Sequence, residues 1–138
     1  KGVSVIEGGA YEFLAQTNNK YDWIIDDVFQ HVSGEPERNE QFYSVLNLYQ
    51  KRLAKSGLLS LNIIGKRQLE NIHPLIHSFD TVHQFSHPLY DNKIVALFNR
   101  GENKKGFKFK LNEFKALDQS RKTCKLQYRL RTLKNLGS

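Results

Sequence analysis

Short apolar runs and amphipathic stretches alternate along the first hundred residues. Consecutive or alternating apolar residues predict strands, and apolar residues that recur every three or four positions predict helices. The predicted elements are strand 3–6, helix 10–16, strand 23–26, loop 27–38, helix 39–54, strand 58–64, helix 67–78, and strands 79–85 and 93–99. This order predicts an α/β fold with a mostly parallel sheet, and the short last connection predicts an antiparallel hairpin at one end.

Turn-forming residues mark the boundaries of several of these elements. Gly57 follows the helix 39–54, in the position where glycine ends helices. Ser33 to Pro36 supply the turn chemistry of the loop 27–38. Pro74 lies inside the helix 67–78, where it is expected to kink the helix or divide it in two.

The segment Trp23 to Asp27 is the most informative stretch. A short apolar run that ends in two carboxylates is typical of a buried parallel strand that delivers acids to the carboxyl edge of a sheet. Ligands bind at this edge in open α/β sheets, which makes Asp26 and Asp27 candidates for a functional site. Neighbouring strand residues face opposite ways, so both acids do not enter one crevice. The alternative is that one of them caps the following turn.

Composition indicates a single folded domain with no membrane segment. The chain has 138 residues, of which 39% are apolar, and no apolar run approaches the length of a bilayer span. The single cysteine, Cys124, excludes an internal disulfide and fits a reducing compartment, so we expect a cytoplasmic location. The chain has no methionine and begins at Lys1, which is typical of a processed or excised piece.

The positive charge belongs to the end of the chain. Residues 1–100 hold 10 Lys+Arg and 11 Asp+Glu, for a net charge of −1, whereas residues 101–138 hold 11 and 3, for +8. We therefore divide the chain into a domain, 1–100, and a basic extension, 101–138, predicted to pack on the domain and to be helical from Glu113, with an interruption or end near Arg121–Thr123. Residues 107–111 alternate like a strand or a surface arm. Non-specific contact with nucleic acid or anionic lipid is the alternative, although no nucleic-acid motif is present.

The histidines do not form a convincing metal motif. His73 and His77 are four residues apart, as are His83 and His87, but zinc sites need three or four ligands. Cys124 is distant from both pairs, so we expect no metal.

Three segments follow one another in the order and spacing of a known family. Val3–Leu14 is similar to its pattern of strand, Gly-Asp-Ala, aromatic, x, Phe-Leu, and Tyr21–Asp27 is similar to its Tyr-Asp-x-Ile-Ile-x-Asp. Glu40–Tyr43, followed by Leu53–Leu59, is similar to its next helix and Gly-initiated strand. The chain thus resembles the spermidine synthase (polyamine aminopropyltransferase) family over residues 1–100. The resemblance implies the Rossmann-like fold of class I S-adenosylmethionine-dependent methyltransferases.

The resemblance implies transfer of an aminopropyl group from decarboxylated S-adenosylmethionine to a polyamine. Asp27 falls at the catalytic carboxylate, and Asn62 at the polar residue that ends the next strand. Gln30 falls where the family has a second, polyamine-binding acid. Asp26 is a further candidate for substrate binding.

On the nucleoside side, the resemblance places Gly9 and Ala10 at the family's Asp-Ala pair, and Glu7 is a possible source of negative potential for a cationic ligand. Gly9 and Gln30 each replace an acid, which favours a divergent activity or none. The alternatives are therefore a non-catalytic binding or assembly module and an S-adenosylmethionine-dependent methyltransferase.

The resemblance also implies that the family's glycine-rich loop and first two strands precede Lys1. In the family's strand order, 3-2-1-4-5-7-6, those two strands separate Val3–Ile6 from the Trp23 strand. Their absence exposes sheet edges, so we expect a homo-oligomer formed through such edges, or a relocated first strand. For the chain alone we expect no turnover and at best weak nucleoside binding.

Overall fold

A computed structural model describes residues 3–99 and 129–135. Its elements are α1 (Ala10–Gln16), β1 (Tyr21–Asp26), β2 (Gln30–Val32), β3 (Glu35–Glu37), α2 (Glu40–Ser44), α3 (Leu46–Arg52), β4 (Leu53–Ile64), α4 (Gly65–Asn71), α5 (His73–Ser78), β5 (Thr81–Ser86), β6 (Asn92–Phe98) and β7 (Arg129–Asn135). No helix within these ranges is long and apolar enough to cross a bilayer.

Within the described residues, one five-stranded sheet has the order β1-β4-β6-β5-β7. Only β1 and β4 pair in parallel, and the other neighbours are antiparallel. The α/β class and the antiparallel hairpin, now β5–β6, are confirmed, but the mostly parallel pairing is wrong. The reason is that β6 folds back between β4 and β5, so two strands of the same direction are separated by one of the opposite direction.

The helices cover one face of this sheet. Along β4, Leu59, Leu61 and Ile63 are fully buried, and they alternate with partly exposed neighbours. Phe42 of α2 and Tyr49 of α3 belong to the same core cluster. This face of the sheet therefore supplies most of the core. Burying a side chain of this size stabilises the folded state by roughly 1.5–3 kcal/mol.

Local sequence signals located several helix boundaries well. The bounds of α1 are those predicted, and Pro74 marks a second helix as expected, since α4 and α5 separate at Ile72. The long helix 39–54 is instead divided into α2 and α3 at Val45. The side chain of Asn39 caps α2 by accepting a hydrogen bond of 3.1 Å from the backbone N–H of Phe42.

The segment predicted as loop 27–38 contains a small hairpin, β2–β3. Its two-residue turn is Ser33-Gly34, and both residues have positive φ, 52° and 87°. That combination is the type I′ geometry that matches the twist of paired strands. Of the predicted turn residues Ser33 to Pro36, Ser33 and Gly34 form the turn, whereas Glu35 and Pro36 belong to β3. Three-residue strands are too short for the pattern to reveal.

Two strand predictions near the start of the chain need correction. Val3–Ile6 is not a strand, and Val3 and Val5 are 94% and 89% exposed. The segment Trp23 to Asp26 is a strand, but it lies at the edge of the sheet rather than inside it, and Trp23 is 59% exposed. A β-branched run favours extended backbone without specifying a neighbour, so the pattern does not distinguish an edge strand from an interior one.

The basic extension differs from its prediction where it is described. Arg129–Asn135 forms β7, which pairs antiparallel with β5, so this part of the extension is not helical. The backbone groups on the outer side of β5 supply hydrogen-bond partners that a sequence pattern does not show. The predicted strand or arm at 107–111 and the helix that begins at Glu113 lie outside the described residues.

Gly57 lies inside β4, not at the end of a helix. Because α3 ends at Arg52, the helix-terminating role predicted for Gly57 is wrong. The pairing shifts from Tyr21 with Leu53 to Trp23 with Leu58, and Gly57 occupies this irregularity. A β-carbon at Gly57 would lie 3.0 Å from the carbonyl oxygen of Tyr21, so close backbone approach explains the glycine.

We therefore expect Gly57→Ala to destabilise the fold by about 1–3 kcal/mol, because the atoms that crowd the new methyl group belong to rigid backbone. Urea denaturation measures this change. The neighbouring exposed residue supplies the control, Ser56→Ala, for which we expect little effect. Equal stability of the two variants would contradict the close-approach explanation.

Candidate functional site

Polar side chains meet where the parallel strands β1 and β4 end. Asp27 directly follows β1, and its Oδ1 accepts a hydrogen bond of 2.8 Å from Nδ2 of Asn62 on β4. Asn92, at the start of β6, donates to Oδ1 of Asn62 at 3.5 Å. Asp27 is exposed, so this chain of amides orients a carboxylate that is open to solvent. We call Asp27, Asn62 and Asn92 the polar tip.

The neighbouring acid, Asp26, has a different environment. It is 4% exposed and forms an ion pair of 2.7 Å with Nη1 of Arg38. The hydroxyl of Tyr49 donates to its Oδ2, and the backbone N–H of Val28 donates to its Oδ1 at 3.1 Å. Both oxygens are therefore engaged within the protein, which makes Asp26 a structural residue rather than an open substrate ligand.

Arg38 connects the elements around this site. Its Nη2 donates to the carbonyl oxygen of Asn62 at 2.6 Å, and its Nη1 contacts the hydroxyl of Tyr11 at 3.3 Å. The guanidinium carbon lies 4.7 Å from the ring centroid of Phe29 and 4.0 Å from that of Phe42. Such cation–π contacts suit a fully buried guanidinium, which is weakly hydrated.

Sequence reasoning missed Arg38, which it placed at the end of a loop. The sequence nevertheless contains a signal for the role of Arg38. A buried carboxylate requires a compensating partner, and Arg38 is the first arginine after Asp26 along the chain. It also lies between aromatic residues at positions 29 and 42, which form the walls of its site.

Two buried tyrosines complete the network. Burial raises the pKa of Tyr11 to about 12, and the negative charge of Asp26 adds to the effect, while Arg38 opposes it. Burial, followed by the charge of Asp26, also raises the pKa of Tyr49 far above its ordinary range. Both hydroxyls therefore remain protonated at neutral pH, and that of Tyr49 serves as a donor to Asp26.

A cavity of about 270 Å³ lies between α1 and β1. Its walls are mainly apolar and aromatic, and Tyr11, Asp26 and Tyr49 form its polar end. The remaining lining residues are Ala10, Phe13, Leu14, Tyr21, Trp23, Ile24, Ile25 and Val28. Its volume lies just below the range of about 300–1,000 Å³ that is typical of ligand pockets.

The predicted site residues divide into two groups and two outliers. Ala10 and Asp26 line the cavity, and Gly9 immediately precedes it as the N-cap of α1. Asp27 and Asn62 form the polar tip. Glu7 and Gln30 are exposed and do not line the cavity; Glu7 precedes α1 and Gln30 begins β2.

The histidine pair on α5 forms a local contact. Nε2 of His77 lies 3.1 Å from Nδ1 of His73, with the ring centroids 4.5 Å apart. Across residues 3–99 and 129–135, no three side chains of the types that bind metals come together. The pair alone is too few ligands for a typical structural metal site.

Comparison with known proteins gives no assignment. No protein-family model matches the chain, and no curated protein matches its sequence.

Removing Arg38 tests the buried network. We expect Arg38→Met to destabilise the protein by about 3–5 kcal/mol, because it leaves the carboxylate of Asp26 buried without its cation. Adding Asp26→Asn to this variant should recover part of the lost stability. Chemical denaturation of the unmodified protein, the two single variants and the double variant measures this recovery. Arg67→Met, on an exposed position of α4, is the control. A loss in Arg38→Met no larger than in this control would contradict the role of the ion pair.

The tyrosines predict a loss of stability in alkali. The folded-state pKa of Tyr11 is about 12 against an ordinary 10.0, so the unfolded chain loses its proton first as the pH rises. This contribution to stability is complete below about pH 10 and decreases as the pH approaches 12. Denaturation as a function of pH measures it. Tyr49→Phe should make the decrease shallower, and Tyr90→Phe, at a side chain 65% exposed, should not. Identical slopes in both variants would contradict the assignment.

Proposed function

We propose that this chain has a Rossmann-like fold and forms the carboxyl-terminal part of a spermidine synthase-like aminopropyltransferase. The observation that carries the proposal is the strand order. Neighbouring strands β1-β4-β6-β5, with β6 antiparallel to both of its neighbours, correspond to the last four strands of the family order 3-2-1-4-5-7-6. This order supports the resemblance independently of the motifs, since no motif specifies that β6 lies between β4 and β5.

The polar tip is the proposed amine-binding side of the site. Asp27 and Asn62, matched separately to the family, are hydrogen-bonded at the adjacent ends of β1 and β4. An exposed, oriented carboxylate binds a primary ammonium group and accepts a proton from the attacking amine. In the proposed reaction, the amine nitrogen forms a bond to the aminopropyl carbon, the carbon–sulfur bond breaks, and methylthioadenosine leaves.

The cavity between α1 and β1 is the proposed nucleoside side. Ala10 lies at a family nucleoside position and lines this cavity, and the aromatic wall includes Trp23. Trp23 pairs with Leu58 of β4, and Ile25 pairs with Ser60. Because successive side chains point to opposite faces of a strand, Trp23, Ile25 and Asp27 lie on one face of the sheet. The proposed nucleoside and amine sides are thus neighbours along one strand. Decarboxylated S-adenosylmethionine is the proposed co-substrate, and a cytoplasmic location is proposed with it.

A second candidate function is a binding module that keeps the fold without the chemistry. The observation that favours it is the buried ion pair, since Arg38 neutralises Asp26 and leaves Asp27 as the exposed carboxylate at the end of β1. Gly9 and Gln30 also replace two acids of the family. A methyltransferase would use the same cavity for S-adenosylmethionine and would not need Asp27 to bind an amine.

Calorimetry with putrescine and with methylthioadenosine tests the proposal. We expect Asp27→Asn to weaken putrescine binding about tenfold or more, because it removes a charged hydrogen bond of roughly 1.5–3 kcal/mol. Methylthioadenosine binding should be unchanged in this variant, and should be weakened by Ala10→Phe, which fills the cavity. The matched control is Asp91→Asn, at an exposed aspartate next to β6.

The outcomes separate the candidates. Nucleoside binding without putrescine binding would contradict the aminopropyltransferase proposal and favour the methyltransferase. Equal effects of Asp27→Asn and Asp91→Asn on putrescine binding would contradict the aminopropyltransferase but not the methyltransferase, which does not need Asp27. Absence of binding of both ligands would favour the binding module.

A further inference from the structure

The histidine pair on α5 faces solvent from a helix that is fixed to the core. His73 and His77 are both exposed, and their spacing places them one turn apart on the same face of α5. Two residues between them, Leu75 and Ile76, are 4% and 5% exposed and belong to the core cluster. The buried face therefore holds the backbone of α5 in place, and the two rings are neighbours on its outer surface.

Each ring turns one nitrogen toward the other ring. Nε2 of His77 lies 3.1 Å from Nδ1 of His73, and the ring planes meet at 76°. In this contact one of the two nitrogens donates its hydrogen to the other. When that hydrogen moves to the second nitrogen of its own ring, both facing nitrogens have lone pairs that point into the space between them. Neutral imidazole in this form is a common metal ligand.

We propose that His73 and His77 form a chelating surface site for a first-row divalent metal ion, with Cu²⁺ bound most tightly. Bonds from such ions to imidazole nitrogen are about 2.0–2.1 Å long, so nitrogens 3.1 Å apart subtend an angle of about 100° at the ion. This angle lies between the values of about 90° in square-planar ions and about 109° in tetrahedral ions, so the rings need little movement. Affinity among these ions is highest for Cu²⁺.

Two protein ligands define an open site that the fold does not require. A closed structural zinc site needs four ligands, and no third metal-binding side chain joins the pair within residues 3–99 and 129–135. The other coordination positions are therefore left to water. Pro74 follows His73 where the helical zinc-hydrolase motif has glutamate, so the site binds an ion without supplying a general base.

The site is separate from the proposed function. Neither histidine lines the cavity between α1 and β1, and neither belongs to the polar tip. The sequence spacing alone did not predict a metal, because the convergence of the two nitrogens depends on the orientation of the rings.

Calorimetric titration with Cu²⁺ alone tests this site. We use a Cys124→Ser background, because a thiolate would compete for copper. We expect one tightly bound Cu²⁺ per chain. His73→Gln and His77→Gln should each weaken its binding about tenfold or more, because loss of one ligand removes the chelate effect. The matched control is His31→Gln, at an exposed histidine of β2, which should leave the affinity unchanged.

Electron paramagnetic resonance of the bound Cu²⁺ counts its nitrogen ligands. We expect two imidazole nitrogens in the parent chain and one in either glutamine variant, and circular dichroism checks that both variants are folded. Ni²⁺ and Zn²⁺ should bind more weakly than Cu²⁺. Absence of Cu²⁺ binding, unchanged affinity in either glutamine variant, an equal loss in His31→Gln, or a single nitrogen ligand in the parent would each overturn the proposal.

Discussion

The ion pair between Asp26 and Arg38 is the interaction on which the rest of this end of the sheet depends. It joins the end of β1 to the residue before α2, and through the carbonyl of Asn62 it also joins β4. Buried charges are tolerated only when they are paired and hydrogen-bonded. Here the hydroxyl of Tyr49 and the backbone of Val28 donate further hydrogen bonds to Asp26, and two aromatic rings lie against the guanidinium of Arg38, whose Nε has no hydrogen-bond partner among the described residues.

This pair also determines what the two adjacent acids can do. Because the side chains of a strand alternate, turning Asp26 toward the helices turns Asp27 toward the other face. Asp26 is then engaged on both oxygens, while Asp27 is exposed and oriented by Asn62. The difference in environment, rather than in residue type, makes one aspartate structural and the other available for a ligand.

Much of the fold could be predicted from the sequence, and the failures have a common cause. The bounds of α1, the Pro74 break, the Ser33-Gly34 turn and the β5–β6 hairpin depend on local signals, and these predictions were correct. The position of β1 at an edge, the irregular segment at Val3–Ile6 and the strand at Arg129–Asn135 depend on which strands lie alongside. Periodicity reports the conformation that a segment prefers and not its neighbours.

The candidate site shows the same division. Asp27 was predicted from the end of its strand and Asn62 from the resemblance to the family, and the structure joins the two side chains by a hydrogen bond. Arg38 was missed because it is buried by contacts far apart in sequence. Carbodiimide labelling of carboxylates, with the modified residues identified by mass spectrometry, tests whether Asp26 is buried and Asp27 exposed. We expect Asp27 to react as fast as the exposed Asp91 while Asp26 is protected. Labelling of Asp26 as fast as that of Asp27 would contradict it.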